Sequence, residues 1–403
     1  MVDYRVYKLA ENFYLLRAFD YSTRFFEGLW EIPEGIMYNS YVLTGSEGTV
    51  VFDTWKNSMA SEYVDALKDI VDPRDVKYVV VHHAEPDHSG ALKLLVEKSN
   101  PLVLGHPLAK NLVESFYGVQ VRFKPVVDGG SLSINEEKIV FYQTPWLHWP
   151  ETIVSYIAGS RALLSCDIFG AYGVFNREVW IDELSGEALG KYWWLMKKYL
   201  ANVIGTYREW ILKNLEKLTQ IPGGVEWILP SHGLLIRGEY TGQVLQKYAS
   251  WGRGDSEHGK TIIVYSSMYG FAQKTVELVE KYLAEKGVQV KTLGFNDESR
   301  AYVSDIIGEA YDAERILFIT STYEADLFPL MRYVAFLMTS KIPRNKRIAV
   351  IALYGWGAKA GRILSEILGP AGFSIVETLE FKAGEEEKSM EKIKSLVEKL
   401  LSF

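Results

Sequence analysis

The sequence predicts a two-domain α/β protein whose second domain is a doubly wound sheet of five parallel strands. Its 403 residues suffice for two or three domains of about 150 residues each. The first part of the chain contains many short strand-like runs but no regular strand–helix repeat. A polar, glycine-containing segment follows at Ser250–Lys260, and strand and helix patterns alternate regularly beyond it. We therefore expect a first domain over residues 1–250, a linker over 251–260 and a second domain over 261–403.

Short runs rich in valine, isoleucine and aromatic residues predict the strands of the first domain. They are Gly48–Asp53, Val76–Val81, Leu102–Leu104, Lys138–Gln143, Thr152–Ile157, Arg161–Ser165 and Glu226–Leu229. Apolar residues that recur every three or four positions predict helices at Gly90–Lys98, Leu108–Phe116 and about Gly186–Leu218. The first domain is therefore expected to combine helices with much β structure.

The second domain is expected to alternate strictly between strand and helix. Its predicted strands are Thr261–Tyr265, Val288–Leu293, Arg315–Thr320, Arg347–Leu353 and Ser374–Glu380. Its predicted helices are about Ala272–Lys286, Phe328–Ser340, Lys359–Leu368 and Glu386–Leu401. Because a helix that crosses back over a sheet leaves the next strand parallel to the first, this order favours a parallel sheet.

The composition is that of an ordinary globular protein and argues against several functions. Hydrophobic residues make up 48% of the chain, charged residues 24%, and the net charge is -7. No basic block stands out, so we expect no nucleic-acid partner. No apolar run reaches about 18 residues and the amino terminus does not resemble a signal peptide, so we expect no membrane span and a cytoplasmic location. The single cysteine, Cys166, cannot form a disulfide within the chain.

Potential metal ligands are concentrated directly after the predicted strand Val76–Val81. The sequence there reads HHAEPDHSG and supplies His83, Glu85, Asp87 and His88. A single histidine in a loop is usually structural or solvated, but the fold alone does not require this density of imidazole and carboxylate groups. His82 would point away from His83 if the strand continued, because side chains alternate along a strand.

Three further candidate ligands follow later predicted strands: His148 in LHWPET, Asp167 in SCDIFG and His232 in LPSHG. Loops at one rim of a rigid sheet can bring such groups together. We take His82, His106 and His258 as non-ligands. Carboxylate oxygens favour harder, redox-active ions over zinc, so three histidines with three carboxylates indicate two irons.

Three loops follow neighbouring strands of the predicted parallel sheet and would meet at its carboxyl edge. They contain Ser266, Ser267, Met268, Tyr269, Gly270 and Phe271 in the first, Thr320, Ser321, Thr322 and Tyr323 in the second, and Leu353, Tyr354, Gly355, Trp356 and Gly357 in the third. Backbone N–H groups at the start of a helix bind phosphate, and aromatic side chains can pack on a flat ring. These loops are therefore candidates for binding FMN.

The motifs together resemble those of a known family. The cluster around His83 is similar to that of the metallo-β-lactamase fold, but Glu85 stands where hydrolases of that fold usually have histidine. The chain resembles the flavodiiron protein family over essentially its whole length. The resemblance rests on this substitution, on the motifs LHWPET, SCDIFG and PSHG, and on the flavodoxin-like second domain. The resemblance implies an αββα sandwich followed by a flavodoxin-like sheet.

The resemblance also implies a set of cofactors and their ligands. It assigns His83, Glu85 and His148 to one iron and Asp87 and His232 to the other, with Asp167 bridging the two. His88 is left outside this ligand set, since hydrolases of the fold use the equivalent residue as a ligand while some flavodiiron proteins turn it away from the metal. FMN would bind the three loops of the second domain. Phe271 and Ala272 depart from the family's phosphate loop, which usually has a polar residue and threonine there, so FMN affinity stays open.

The implied activity is reduction of dioxygen to water, of nitric oxide to nitrous oxide, or both, with electrons relayed through FMN. The resemblance implies rubredoxin or a similar small carrier as the donor, and the donor is expected to be a separate protein because no Cys-x-x-Cys module is present in the chain. The expected assembly is a head-to-tail homodimer or a dimer of dimers. No catalytic residue is predicted beyond the metal ligands. A zinc hydrolase with a flavodoxin-like tail and a non-enzymatic electron carrier are the two alternatives.

Overall fold

The computed structural model describes residues 2–402 of the chain, which form two compact units. The first unit runs to Leu200 and continues over Tyr207–Gly252. The second comprises Ala201–Thr206 and the chain from Arg253 onward. The segment 251–260 begins inside a helix that ends at Arg253 and then continues without regular structure to the first strand of the second unit.

The strands of the first unit are β1 (Asp3–Ala10), β2 (Phe13–Asp20), β3 (Phe25–Phe26), β4 (Trp30–Glu31), β5 (Ile36–Leu43), β6 (Thr49–Phe52), β7 (Val76–Val81), β8 (Leu102–Gly105), β9 (Arg122–Pro125), β10 (Ser131–Ile134), β11 (Glu137–Gln143), β12 (Ile153–Ile157), β13 (Ala162–Cys166), β14 (Trp227–Pro230) and β15 (Ile236–Arg237). Its helices are α1 (Ala60–Lys68), α2 (Pro86–Ser89), α3 (Leu92–Ser99), α4 (Ala109–Tyr117), α5 (Gly186–Tyr199), α6 (Arg208–Thr219) and α7 (Glu239–Arg253).

These strands form two main sheets, in the orders β1-β2-β5-β6-β7-β8-β9 and β10-β11-β12-β13-β14-β15. The first sheet is antiparallel up to β6 and parallel from β6 to β9. In the second sheet, β13 and β14 are parallel and the other pairs antiparallel. The candidate ligands follow β7, β13 and β14, and His148 precedes β12, so two sheets contribute to one rim.

The two sheets bury their facing side chains in a common core. Phe52, Val80 and Leu104 of the first sheet belong to the same buried cluster as Phe141 and Leu164 of the second. Sheets packed in this way form a sandwich whose inner faces exclude water. The loops at its rim are therefore anchored to rigid strands.

The sequence analysis missed much of the first sheet and misjudged one helix. β1, β2 and β5 were not predicted, although β5 is buried at every position, because the polar Asn39 and Ser40 interrupt its apolar pattern. The long helix predicted at about Gly186–Leu218 is broken. It ends as α5 at Tyr199, passes through a π-helical segment at Leu200–Ile204 and resumes as α6.

The strands of the second unit are β16 (Thr261–Ser266), β17 (Val290–Phe295), β18 (Arg315–Tyr323), β19 (Asp326–Leu327), β20 (Arg347–Tyr354) and β21 (Ser374–Lys382). Its helices are α8 (Phe271–Glu285), α9 (Val303–Asp312), α10 (Pro329–Lys341), α11 (Ala360–Leu368) and α12 (Met390–Leu401). The sheet order is β17-β16-β18-β20-β21 with every pair parallel, and β19 pairs antiparallel with the end of β18. This confirms the predicted five-stranded parallel sheet.

Helix α9 was not predicted. All of its residues except Asp305 are buried, so it lacks the polar face that marks a surface helix. No helix in the described part of the chain is both long and apolar enough to cross a membrane.

A buried charge cluster links the start of the second unit to α9. The ammonium group of Lys260 forms ion pairs with Glu309 at 2.7 Å and with Asp312 at 2.6 Å. Burial disfavours the charge on Lys260, but Asp312 and Glu309 outweigh that effect and raise its pKa. Removing the lysine would leave two largely buried carboxylates without this cation.

We expect Lys260→Met to lower the free energy of unfolding of the second unit by about 2–3 kcal/mol, the cost of unpairing buried charges. The measurement is urea denaturation followed by far-ultraviolet circular dichroism. The matched control is Lys394→Met, because Lys394 pairs with Glu391 on an exposed helix face and should change stability by at most about 0.5 kcal/mol. Equal effects of both substitutions would contradict the prediction.

Candidate metal centre and flavin site

The loop after β7 places its ligands through a short helix with a proline at the first position. Glu85 precedes this helix, and Pro86 begins it. Proline fits the first helical position because its fixed backbone angle matches the helix and no N–H is needed there. The following Asp87 and His88 lie within this helix, directly after the strand end that carries His83 and Glu85.

One group of candidate ligands consists of His83, Glu85 and His148. The Nε2 atoms of His83 and His148 lie 3.1 Å and 2.9 Å from the same oxygen of Glu85. The two imidazole rings are 5.0 Å apart and nearly perpendicular. Both histidines are buried, so two ring nitrogens and a carboxylate oxygen converge in a shielded place.

A second group consists of Asp87, His88 and His232. His232 Nε2 lies 3.3 Å from Asp87 Oδ2, and the His88 and His232 rings are 5.0 Å apart. Among the described residues, both Asp87 oxygens and the Nε2 atoms of His88 and His232 are buried without a hydrogen-bond partner. Because buried polar atoms rarely stay unpartnered, this arrangement indicates that a further group binds there.

Asp167 lies between the two groups. Its Oδ1 is 3.0 Å from His88 Nε2 and 3.4 Å from His232 Nε2. Its Oδ2 is 3.7 Å from His148 Nε2 and 3.9 Å from His83 Nε2. Burial opposes ionisation of Asp167, but the neighbouring histidines, His88 first, outweigh it and hold its pKa well below the usual range.

Hydrogen bonds behind these groups fix the histidine rings. Glu151 pairs with Nδ1 of His83 at 2.7 Å and accepts from the backbone N–H of Ala84 at 3.1 Å. Nδ1 of His232 bonds the carbonyl of Met37 at 2.8 Å. When Nδ1 of a histidine donates in this way, Nε2 is left as the metal-binding nitrogen.

Sequence reasoning missed two of the supporting residues. Glu151 stands within the LHWPET motif used to find His148, and a carboxylate so close to a candidate ligand was a usable signal. The Tyr199 hydroxyl donates to Asp167 Oδ1 at 2.7 Å. Burial and then Asp167 raise the pKa of Tyr199 well above its ordinary value, so this hydroxyl keeps its proton. Tyr199 is distant in sequence from every motif and gave no signal.

His82 lies on the other side of the strand end from the cluster. Its Nδ1 pairs with Asp53 at 2.7 Å and its Nε2 with Ser155 at 2.7 Å. Both ring nitrogens are therefore occupied by protein partners. Cys166 is buried near Asp53 and His88, and burial raises the pKa of its thiol well above the ordinary value.

The residues present fit a pair of metal ions. Four imidazoles and two carboxylates surround Asp167 in two adjacent groups, and four of their atoms lack a hydrogen-bond partner among the described residues. Mixed nitrogen and oxygen donors suit iron, which binds both imidazole and carboxylate. A cavity of about 220 Å³ reaches Glu85 and Asp87 from the surface between Phe25, Phe26 and Tyr38. A small molecule could therefore approach both groups.

The three predicted flavin loops lie at one edge of the second unit, because β16, β18 and β20 are adjacent and parallel. Ser266 and Thr320 are buried and bond each other through their hydroxyls at 2.7 Å. Gly270 adopts a left-handed conformation with φ of 79°, a turn that glycine tolerates best, and α8 starts at the next residue.

The remaining loop residues divide into buried anchors and exposed aromatics. Leu353 is buried, and Thr322 accepts from the backbone N–H groups of Lys359 and Ala360 at 3.2 Å. The side chains of Tyr269 and Trp356 are 85% and 81% exposed, which is unusual for large aromatic groups in a single chain. Ser321 Oγ is buried without a hydrogen-bond partner in the part of the chain described. These features fit a flat, polar cofactor.

The chain is similar to proteins of known type over nearly its whole length. Residues 36–233 match the family described as ODP family beta lactamase, and residues 263–395 match flavodoxin. The rubredoxin-oxygen oxidoreductase of Megalodesulfovibrio gigas is 29% identical, over 92% of this chain and 91% of that protein. The nitric oxide reductase of Moorella thermoacetica is 28% identical, over 91% of this chain and 90% of that protein.

A solved structure shows the same two-domain architecture. A mutant of the flavo di-iron protein from Thermotoga maritima is 34% identical, covers 100% of both chains and superposes with a TM-score of 0.91. The predicted metallo-β-lactamase-like and flavodoxin-like folds are thereby confirmed. The chain belongs to the flavodiiron protein family.

Proposed function

We propose that this chain reduces dioxygen to water, nitric oxide to nitrous oxide, or both, at a dinuclear iron site supplied with electrons through FMN. The observation that carries the proposal is the pair of ligand groups around Asp167, with four buried atoms that lack hydrogen-bond partners among the described residues. Relatives named as an oxygen oxidoreductase and a nitric oxide reductase support the reaction class.

The proposed ligands are His83, Glu85 and His148 for one iron and Asp87 and His232 for the other, with Asp167 between them. His88 is a candidate additional ligand, because its Nε2 faces Asp167 and Asp87 and has no hydrogen-bond partner among the described residues. When bound, the two irons supply electrons to the gas, and FMN supplies the electrons that restore them.

The chain's own side chains orient and shield this centre. Glu151 and the Met37 carbonyl hold the imidazoles of His83 and His232 with Nε2 turned toward the cluster. The Tyr199 hydroxyl donates a hydrogen bond to Asp167 and so fixes one carboxylate oxygen. The approach is a cavity of about 220 Å³ lined by the aromatic side chains of Phe25, Phe26 and Tyr38 and by the polar Thr23 and Lys56, a volume that a small gas molecule can enter.

The flavin and the electron donor complete the proposal. FMN would occupy the loops that contain Tyr269, Tyr323 and Trp356. A rubredoxin-type donor is supported by the name of the Megalodesulfovibrio gigas relative. A head-to-tail homodimer follows from the family resemblance, and analytical ultracentrifugation of the full chain tests it.

The first test is the iron, zinc and FMN content of freshly purified protein, followed by gas uptake after reduction. We expect about two irons and one FMN per chain, and consumption of O2 or NO far faster than by free FMN. O2 reduction should consume four electrons and four protons per molecule, and NO reduction two electrons and two protons per pair of molecules. Zinc without iron, or no gas uptake above the free flavin rate, would contradict the proposal.

A further inference from the structure

The loop between β16 and α8 makes an acidic contact at the place where an anionic cofactor would bind. The backbone N–H of Tyr269, two residues before α8, donates to Asp297 Oδ2 at 2.8 Å. Asp297 lies two residues after β17, the strand that pairs with β16. A backbone N–H carries one hydrogen, so this carboxylate and a phosphate oxygen would compete for the same donor.

The segment that carries Asp297 is ordered by its own hydrogen bonds. Asn296 Oδ1 accepts from the backbone N–H groups of Glu298 at 2.9 Å and Ser299 at 2.7 Å. The side-chain amide of Asn296 donates to the Tyr265 hydroxyl at 3.0 Å. The backbone N–H of Asn296 also donates to the Ser299 carbonyl at 2.9 Å. Asp297 is therefore held toward the loop by a rigid turn.

The start of α8 offers little to offset this negative charge. Phe271 and Ala272 occupy its first two positions and have no polar side-chain atoms. Ser267 accepts from the backbone N–H of Gln273 at 3.1 Å and so serves as a cap for the helix. Lys274, the lysine in this first turn, pairs with Glu387 at 3.0 Å. A phosphate here would depend mainly on backbone N–H groups, one of which bonds Asp297.

We propose that Asp297 sets the FMN affinity of this chain by competing with the flavin phosphate for the Tyr269 N–H and by repelling its charge. The inference rests on the FMN binding proposed above. A phosphate monoester carries nearly two negative charges at neutral pH, so a carboxylate in contact with its binding loop opposes it directly. Without flavin, Asp297 takes the place of the phosphate and keeps the loop ordered.

The test is a fluorescence titration of the flavin-free, full-length chain with FMN and, separately, with riboflavin, which lacks the phosphate. Asp297→Asn is the main variant, because asparagine keeps the size and the acceptor oxygen but removes the charge. Asp297→Ala removes both. Glu298→Gln is the matched control, since it removes one negative charge from the adjacent position of the same loop.

We expect Asp297→Asn to lower the dissociation constant for FMN by about tenfold, as estimated for partly screened charges a few ångströms apart. The dissociation constant for riboflavin should change by less than about twofold, and Glu298→Gln should change that for FMN by less than about threefold, because screening weakens the more distant charge. Raising the salt concentration should reduce the difference between the native chain and Asp297→Asn.

Two outcomes would overturn the inference. FMN affinity that is unchanged or weaker in Asp297→Asn would show that the carboxylate orders the loop without opposing the phosphate. Equal gains from Asp297→Asn and Glu298→Gln would show that net charge, not the contact, is responsible. If neither the native chain nor any variant binds FMN or riboflavin, the flavin part of the proposed function fails as well, which distinguishes that result from the first two.

Discussion

Replacing Asp167 by asparagine is expected to reduce gas consumption by about 100-fold or more, because a charged group between two metal ions is lost. Asp167 is within 4 Å of four histidine Nε2 atoms and accepts from Tyr199. Asparagine fits the same space but cannot supply two anionic oxygens. We also expect the iron content to fall below about one per chain, since one fewer negative charge would then offset the positive charge of the two metal ions.

The measurement combines iron analysis with initial rates of O2 and NO uptake by the reduced enzyme. Asp182→Asn is the matched control, because Asp182 pairs with Arg237 near the surface of the same unit at 2.9 Å. That variant should keep its iron and its rate. Full iron content and an unchanged rate in Asp167→Asn would refute the placement of Asp167 between the metals.

The candidate ligands were predictable because their chemistry is concentrated in short motifs. His83, Glu85, Asp87 and His88 fall within six consecutive positions, and a strand end is where alternating side chains can converge. The structure brings them together with His148, Asp167 and His232. Chain connectivity could not reveal that β7 and β13 belong to different sheets that share a rim, because pairing between distant strands depends on packing.

The supporting residues were harder to predict because their role depends on geometry. Glu151 and Tyr199 each act on a ligand through one hydrogen bond; Glu151 lies in the motif of His148, but a lone tyrosine such as Tyr199 has no distinctive spacing. His88 is the opposite case, a residue that the sequence identified but whose contacts it did not reveal. Its position in the motif was evident, but only the structure shows its Nε2 facing Asp167 at 3.0 Å.

The fold was predictable where one hydrophobic pattern dominates, and it was missed where polar residues interrupt a buried strand or where a helix has no polar face. The parallel sheet of the second unit was predicted because strands such as Arg315–Thr320 are apolar and alternate with amphipathic helices. Strand β5 was missed because Asn39 and Ser40 interrupt its apolar pattern, and helix α9 was missed because all of its residues except Asp305 are buried. Amphipathic periodicity arises where one face of a helix contacts the core and the other contacts water, so a helix that is buried on both faces does not show it.

Truncating Glu151 to alanine is expected to weaken iron(II) binding by about 10–100-fold, the usual effect of removing the partner that orients a metal-binding histidine. Glu151 holds Nδ1 of His83 at 2.7 Å and is itself held by the Ala84 N–H. Without it, His83 can rotate or present the wrong nitrogen, and its donor strength falls. The affinity is measured by competition with chelators of graded strength.

Two further variants separate orientation from charge and from general destabilisation. Glu151→Gln keeps an oxygen that can accept from His83 and Ala84, so we expect a smaller loss of iron affinity, about three- to tenfold. Glu226→Ala removes a half-exposed carboxylate that pairs with Arg161 and should leave iron binding unchanged. Equal losses in the alanine and glutamine variants would mean that the charge of Glu151 matters and its hydrogen-bond geometry does not. If iron affinity is unchanged in both the alanine and the glutamine variant, iron binding by His83 depends on neither the charge nor the hydrogen bond of Glu151.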